Sequence, residues 1–222
     1  MEGREAKDRL YETFARTAKA LSSPKRLELL DVLAQGERPV EALAEVTAMG
    51  VTNTSAHLQV LARSHLVVTR RAGTRIFYRL AGDDVAAFLV ALRELSRAHG
   101  ADVDHVVNAY FAARDDLEPV GREELARRVA DREVIVLDVR PAEEYMAGHI
   151  PGARSVPLDE LDAVLARLPK RTEVVAYCRG PYCVLAPQAV ERLRFHGFKA
   201  RRLAEGFPEW RLAGLPVAVG EQ

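Results

Sequence analysis

The N-terminal part of the chain repeats apolar residues at the spacing of an α-helix. Leu10, Phe14 and Leu21 share one face of a first helix. Ser23 and Pro24 predict the start of a second helix, because a serine hydroxyl caps free N–H groups and proline is tolerated in the first turn. The same spacing predicts three further helices, which are a short one opened by Pro39, one over Val51–Arg63 and a long one over 83–98.

Two runs rich in β-branched and aromatic residues interrupt this helical pattern. They cover 67–70 and 76–79 and flank a turn that contains Gly73, so they predict a β-hairpin. Helices followed by such a hairpin are the arrangement of a winged helix-turn-helix. We therefore predict a mainly α first domain over residues 1–111.

The C-terminal part carries continuous apolar runs instead. The runs 134–137 and 174–177 predict strands buried on both faces, which are typical of a central parallel sheet in an α/β domain. Between the two patterns, residues 112–121 are largely polar and end in a segment that contains Pro and Gly, which predicts a linker. The second domain is then expected over 122–222.

Length and composition narrow the class of protein. The 222 residues suit two domains, and 32 basic residues balance 32 acidic ones. The longest apolar run, 85–92, is too short to span a membrane, and the charged N-terminus predicts no secretory signal. Cys178 and Cys183 are the only cysteines, which excludes a disulfide scaffold and a four-cysteine zinc site. We therefore expect a cytoplasmic protein without a metal or other cofactor.

Charge is distributed unevenly along the first domain. Residues 46–82 contain no Asp or Glu but five arginines, and they cover the fourth predicted helix and the hairpin. An acid-free, arginine-rich surface suits a polyphosphate, which we predict to be double-stranded operator DNA. The alternative is a solvated basic face. The candidate DNA-binding residues are Thr52, Asn53, Ser55, Ala56, Gln59 and Arg63 on the helix and Arg70, Arg71 and Arg75 on the hairpin.

The first and fifth predicted helices have apolar faces too broad for a small domain to bury. A homodimer would cover them and would present two recognition helices about one DNA turn, ~34 Å, apart. Residues 13–80 also resemble ArsR-type winged-helix repressors, through LSSPKRL at 21–27, SAHLQVL at 55–61 and GTRIFY at 73–78. The resemblance implies dimeric repression that an inducer releases.

Metal sensing by this first domain is not predicted. Members of that family that sense arsenic or cadmium carry cysteines on the third helix, and this chain has none there. His99, Asp102 and His105 spread around their helix and are interrupted by Gly100, so we expect them to be solvated side chains.

Cys178 is the candidate nucleophile of the second domain. It follows a predicted strand and opens the segment Cys178-Arg179-Gly180-Pro181-Tyr182-Cys183, here called the thiol loop, which leads into a helix. Backbone N–H groups at a helix start bind anions and favour a thiolate, so we expect a lowered pKa for the Cys178 thiol. Arg179 is expected to add a positive charge. The alternative is that Cys178 is a small buried residue.

Residues 117–218 resemble a rhodanese domain. The matching motifs are LDVR at 137–140, GHIPGA at 148–153, YCRG at 177–180 and EGFPEW at 205–210. The resemblance implies transfer of sulfane sulfur through a persulfide on Cys178, from a donor such as thiosulfate or polysulfide. It also implies that Gly180, Pro181 and Tyr182 cradle the terminal sulfur. Asp138 and Arg140 match the charged pair that supports the site in that family.

The length of the thiol loop separates two chemistries. Rhodanese-like phosphatases and arsenate reductases use a Cys-x5-Arg loop, in which the arginine grips the oxyanion. The sixth residue after Cys178 is Val184, so neither activity is expected. Cys183 suggests a resolving thiol, which would attack a Cys178 persulfide and release sulfide. The alternative is a buried cysteine at the helix start.

Three functions are compatible with these domains. The first is a DNA-binding transcriptional regulator, as a repressor, whose DNA affinity changes when Cys178 is loaded with sulfur. The second is a sulfurtransferase whose DNA-binding domain localises or autoregulates it. The third is a rhodanese fold used only for protein contacts, against which Cys178 and Arg179 argue. The first function requires that Cys178 is reachable by a donor and is not enclosed among aliphatic side chains.

Overall fold

The structure of the chain is a computed structural model that describes residues 3–107, 109 and 119–220. Residues 112–118 of the predicted linker lie outside the described residues. The chain divides into two units, Met1–Leu89 and Val90–Gln222. Among the described residues, no helix is both long enough and apolar enough to cross a membrane.

The N-terminal part has the predicted order of helices and hairpin. Its elements are α1 (Gly3–Leu21), α2 (Pro24–Leu33), β1 (Arg38–Pro39), α3 (Val40–Val46), α4 (Val51–Arg63), β2 (Val67–Ala72), β3 (Arg75–Leu80), α5 (Asp83–His99) and α6 (Ala101–Val107). The fourth helix has the predicted bounds, and Gly100 separates α5 from α6. Strand β1 was not predicted, because two residues are too few to show an alternating pattern.

A three-stranded antiparallel sheet of order β1-β3-β2 forms the wing. Its hairpin pairs Val67 with Leu80 at one end and Ala72 with Arg75 at the turn. The helices pack around leucines that are fully buried, namely Leu29, Leu30, Leu43, Leu58 and Leu61. The prediction of a winged helix-turn-helix is confirmed.

The C-terminal part alternates strands and helices, as predicted. Its elements are α7 (Arg122–Ala130), β4 (Val134–Asp138), α8 (Ala142–Ala147), β5 (Arg154–Ser155), α9 (Leu161–Val164), a 3-10 turn (Leu165–Arg167), β6 (Glu173–Tyr177), α10 (Leu185–Phe195), β7 (Ala200–Arg202) and α11 (Phe207–Leu212). All strand pairs in the sheet of order β5-β4-β6-β7 are parallel. The predicted α/β class is therefore confirmed.

The alternation along β6 determines where the first cysteine lies. Val174 and Ala176 face a cluster with α10, whereas Val175 and Tyr177 face a cluster with α11. Cys178 continues this period of two on the α10 side. Cys178 therefore lies at the carboxyl end of β6, and open α/β sheets bind their ligands at the carboxyl ends of the strands.

Candidate functional site

The exposed face of α4 is the candidate recognition surface. Thr54, Leu58 and Leu61 are buried against the first unit. The predicted base-reading residues lie on the opposite face, with Ser55 half-buried and the others exposed, namely Thr52, Asn53, Ala56, Gln59 and Arg63. The structure therefore leaves this face available, and its contact with DNA remains a prediction.

The wing presents the three predicted arginines on exposed positions. Arg71 donates from Nε to the carbonyl oxygen of Gly73, at 3.1 Å, which holds it beside the turn. Arg70 is already paired, because its guanidinium donates to both carboxylate oxygens of Glu37 and lies 4.8 Å from the ring centre of Phe77. Glu37 lies outside the acid-free segment, so the sequence pattern did not reveal this pair.

Both thiols are held by backbone donors of the thiol loop and of the first turn of α10. The N–H groups of Gly180 and Ala186 stabilise the sulfur of Cys178, and those of Arg179 and Leu185 stabilise the sulfur of Cys183. Within the loop, the N–H of Cys183 donates to the carbonyl oxygen of Gly180 at 3.1 Å. Of the three residues expected to cradle the sulfur, Gly180 supplies one of these N–H groups, and the cradling role stays a prediction.

The two thiols differ in burial and ionisation. Cys178 is only 2% exposed and packs in a cluster that includes Val139 and Ala186, so burial raises its pKa well above the ordinary value. The pKa of Cys183, which is half-buried, is lowered to about 7, mainly by a hydrogen bond from the Cys178 thiol. The expectation of a lowered pKa at Cys178 is wrong, because desolvation outweighs the backbone donors.

The burial of Cys178 also bears on the requirement that a donor can reach it. Its side chain is enclosed among apolar side chains on the α10 side, so the requirement is not met at Cys178, and the alternative of a small buried residue fits its burial. Cys183 lies at the more accessible end of the same loop and is joined to Cys178 by a hydrogen bond. Cys183 is therefore the more accessible of the two thiols.

Arg179 does not act as an uncompensated positive charge. It forms a bidentate ion pair with Glu144, with Nε 3.0 Å and Nη2 2.6 Å from the same carboxylate oxygen. The Glu144 side chain is fully buried, and that of Arg179 is 18% exposed. This pair ties the thiol loop to α8, and the positive charge of Arg179 still contributes to the lowered pKa of Cys183.

Asp138 and Arg140 form a fully buried ion pair with Nη2 and Oδ2 2.5 Å apart. Arg140 also donates to the carbonyl oxygen of Gly148 at 2.8 Å, and the hydroxyl of Tyr177 donates to Asp138 at 2.6 Å. Tyr177 in turn accepts the N–H of Ile150. These bonds hold the turn at 148–150 against the sheet, which gives the pair a supporting role.

The start of helix α11 packs against the backbone of the thiol loop. A Cβ placed on Gly206 would lie 2.3 Å from the backbone nitrogen of Gly180, so only glycine allows this approach. The N–H of Phe207 donates to the carbonyl oxygen of Cys178 at 3.1 Å. Glu209 accepts the N–H of Gly206 at 3.0 Å. The position of Glu209 three residues after Gly206 is a helix-start signal that could have predicted this bond.

No cluster of three or more His, Cys, Asp or Glu side chains is placed to hold a metal ion in the part of the chain that the structure describes.

The comparisons with known proteins agree with this geometry. The family model described as "Bacterial regulatory protein, arsR family" matches residues 23–68. The HTH-type transcriptional regulator Rv0324 of Mycobacterium tuberculosis is 48% identical over 211 residues, which are 95% of this chain and 92% of that protein. The chain belongs to the ArsR family of bacterial regulatory proteins. This ArsR-family transcriptional regulator also carries a rhodanese-like domain, whose family model matches residues 121–213.

Two further similarities concern the separate domains. A protein named "Sulfurtransferase" from Allochromatium vinosum is 32% identical over 104 residues, which are 46% of the ArsR-family chain and 95% of that protein. The homodimeric winged helix-turn-helix DNA-binding domain of Mb0332 from Mycobacterium bovis is 45% identical, covering 45% of this chain and 91% of that one, with a TM-score of 0.41.

Proposed function

We propose that this ArsR-family regulator represses transcription by binding operator DNA as a homodimer, and that reactive sulfur at the Cys178–Cys183 pair changes its DNA affinity. The observation that carries the proposal is the pair itself. Two thiols share one cradle of backbone N–H groups, and one of them ionises with a pKa of about 7. A thiolate at neutral pH is the form that attacks sulfur donors.

The first unit supports the DNA-binding half of the proposal. The exposed polar face of α4 has the size to enter the major groove, where Gln59 and Asn53 can pair with adenine edges. Arg71 and Arg75 suit phosphate contacts, since they lie on an exposed hairpin and residues 46–82 contain no acidic residue, whereas Arg70 is paired with Glu37.

An apolar surface of the first unit supports the dimer. Leu10, Tyr11 and Phe14 of α1 are 56%, 62% and 61% exposed. A groove of about 350 Å³ lies beside them and is lined by Phe14, Leu21 and Phe88 among others. A second copy of the chain would bury these side chains, because apolar surface of this kind is rarely left in water on a monomer.

The proposed sulfur chemistry begins at Cys183. Its thiolate attacks the sulfane sulfur of a polysulfide and displaces the shortened polysulfide, which forms a Cys183 persulfide. Cys178 then attacks the Sγ atom of Cys183, and hydrosulfide leaves with the proton of the Cys178 thiol. The two cysteines are oxidised to a disulfide and the sulfane sulfur is reduced to sulfide. This order reverses the roles expected from the sequence, because Cys183 is the ionised and accessible thiol.

The deciding experiment measures DNA binding with and without a sulfur donor. An operator is first selected from random duplexes with the reduced protein, and its affinity is then titrated by fluorescence anisotropy with and without polysulfide. Donor-dependent weakening in the wild type, lost in both Cys178→Ser and Cys183→Ser, supports the proposal. An affinity that polysulfide leaves unchanged contradicts it.

A catalytic sulfurtransferase is the second candidate function. The similarity of the rhodanese-like domain to the Allochromatium vinosum protein named "Sulfurtransferase" favours it. Steady thiocyanate formation from thiosulfate and cyanide, together with DNA binding that does not depend on the donor, would support this function over sensing. A single turnover that stops at the disulfide would argue against it.

A further inference from the structure

Glu209 of α11, which lies beside the thiol loop, also contacts a residue of α5. Arg93 donates from Nη1 to Oε1 of Glu209 at 3.1 Å. Both residues belong to the unit Val90–Gln222. The Glu209 side chain is 6% exposed and that of Arg93 is 24% exposed, so the ion pair is largely removed from water. A pair in this environment is screened by solvent much less than a surface pair.

The ion pair lies directly over the thiol loop. The Cβ position of Gly180 is 3.5 Å from Nη1 of Arg93 and 3.7 Å from Oε1 of Glu209. The other carboxylate oxygen of Glu209 accepts the N–H of Gly206, and a Cβ added to Gly206 would overlap the peptide between Arg179 and Gly180. Glu209 therefore holds the segment that supports the loop, and Arg93 neutralises the charge that Glu209 brings to it.

We propose that Glu209, held by Arg93, is a positioning residue for the thiol loop, and that this ion pair transmits the oxidation state of the two cysteines to α5. The second part rests on the proposed function, since it assumes that the pair is oxidised by a sulfur donor. We expect formation of a Cys178–Cys183 bond to displace Gly180, which lies next to the ion pair. Because α5 runs from Asp83 to His99, Arg93 lies in its middle turns.

Thiol reactivity tests the positioning role without any assumption about DNA. In Arg93→Gln, the carboxylate of Glu209 loses the positive charge of Arg93, and the more negative surroundings disfavour a thiolate in the loop. The midpoint of the pH profile for Cys183 alkylation by iodoacetamide then rises by about half a unit, which slows alkylation about twofold at pH 7. In Glu209→Gln the negative charge beside the loop is removed, so the midpoint falls.

Two variants control this measurement. Arg93→Lys keeps the positive charge and restores the wild-type profile. Glu94→Gln alters an exposed neighbour on the same helix and leaves the profile unchanged. Opposite shifts in Arg93→Gln and Glu209→Gln support the proposal. Unchanged profiles in both, or shifts in the same direction that follow a loss of folding stability, would overturn the positioning role.

The coupling is tested separately by DNA binding. If polysulfide weakens operator binding by the wild type, the weakening should be reduced severalfold in Arg93→Gln, while mass spectrometry still finds the Cys178–Cys183 disulfide. An unreduced response in that variant overturns the transmission. If the wild type itself shows no response to polysulfide, the proposed function fails, and the alkylation profiles alone decide the positioning role.

Discussion

The thiol of Cys178 donates to the backbone carbonyl oxygen of Cys183 at 3.8 Å, and the neighbouring Cys178 thiol is the largest cause of the lowered pKa of Cys183. Burial favours the neutral form of Cys178, which is the form that can donate. The enclosed thiol therefore activates the more accessible one. The arrangement explains how a loop with one deeply buried cysteine can still present a thiolate.

Removal of the buried thiol should suppress the reactivity of its neighbour. In Cys178→Ala the hydrogen bond is lost, so the pKa of Cys183 rises from about 7 towards its ordinary value near 9. Iodoacetamide alkylation of Cys183 at pH 7 then slows by about tenfold or more, because the rate follows the thiolate fraction. Cys178→Ser retains a hydroxyl donor and should keep most of the rate. Equal rates in the two variants would contradict this role.

The ion pair between Arg179 and Glu144 predicts an asymmetry in stability. Arg179→Ala removes a guanidinium that pairs with a fully buried carboxylate, whereas Glu144→Ala leaves a guanidinium that can turn towards water. We expect urea unfolding to show a loss of about 3 kcal/mol for Arg179→Ala and a smaller loss for Glu144→Ala. The double variant should lose less than the sum of the two. Additive losses would show that the pair does not couple.

The sequence was sufficient to locate the thiol loop but not to predict its electrostatics. The apolar run before Cys178 identified the end of a buried strand, which is a local property. The burial of Cys178 depends on Ala186 and Val139, and the partner of Arg179 lies 35 residues earlier in the chain. Contacts of this range are set by how α8 and α10 pack on the sheet, and no local pattern encodes them.

In the first unit, too, the local pattern was predicted from the sequence and the long-range contacts were not. Helical spacing predicted the bounds of α4, because its buried residues recur at the period of a helix. The pairing of β1 with β3 and the ion pair of Arg70 with Glu37 were missed. Both join residues more than 30 positions apart, and a two-residue strand carries too little pattern to be recognised.

The approach of Gly206 to the thiol loop predicts a strict requirement for glycine. In Gly206→Ala the new Cβ would overlap the backbone at Arg179 and Gly180, so the loop or α11 must shift. We expect a loss of about 1–3 kcal/mol in unfolding free energy and an altered pH profile of Cys183 alkylation. Gly121→Ala is the matched control, since its Cβ meets open space at a φ of −70°. A wild-type profile in Gly206→Ala would refute the requirement.

Two substitutions separate base reading from phosphate contact. Gln59→Ala, on the exposed face of α4, should change the sequence preference by about 1–3 kcal/mol at one base pair if its contact is bidentate. Arg75→Ala, at the tip of the wing, should weaken binding equally across sequences and reduce the salt slope by about one. Binding to a panel of single-base operator variants at several salt concentrations measures both. An unchanged preference profile or an unchanged slope would count against the respective role.

The ion pair of Glu37 with Arg70 predicts a variant that binds DNA more tightly. Glu37 accepts hydrogen bonds from Nε and Nη2 of Arg70, so a phosphate must compete with a carboxylate for that arginine. Glu37→Gln frees Arg70 and should raise operator affinity about two- to fivefold at low salt, which is the range of a surface ion pair. The salt slope should steepen by about one, because one more phosphate is neutralised. Glu41→Gln removes the same charge from an exposed position on α3 and serves as control. If both variants tighten binding equally, the gain comes from the net charge of the unit, and release of Arg70 is excluded as its cause.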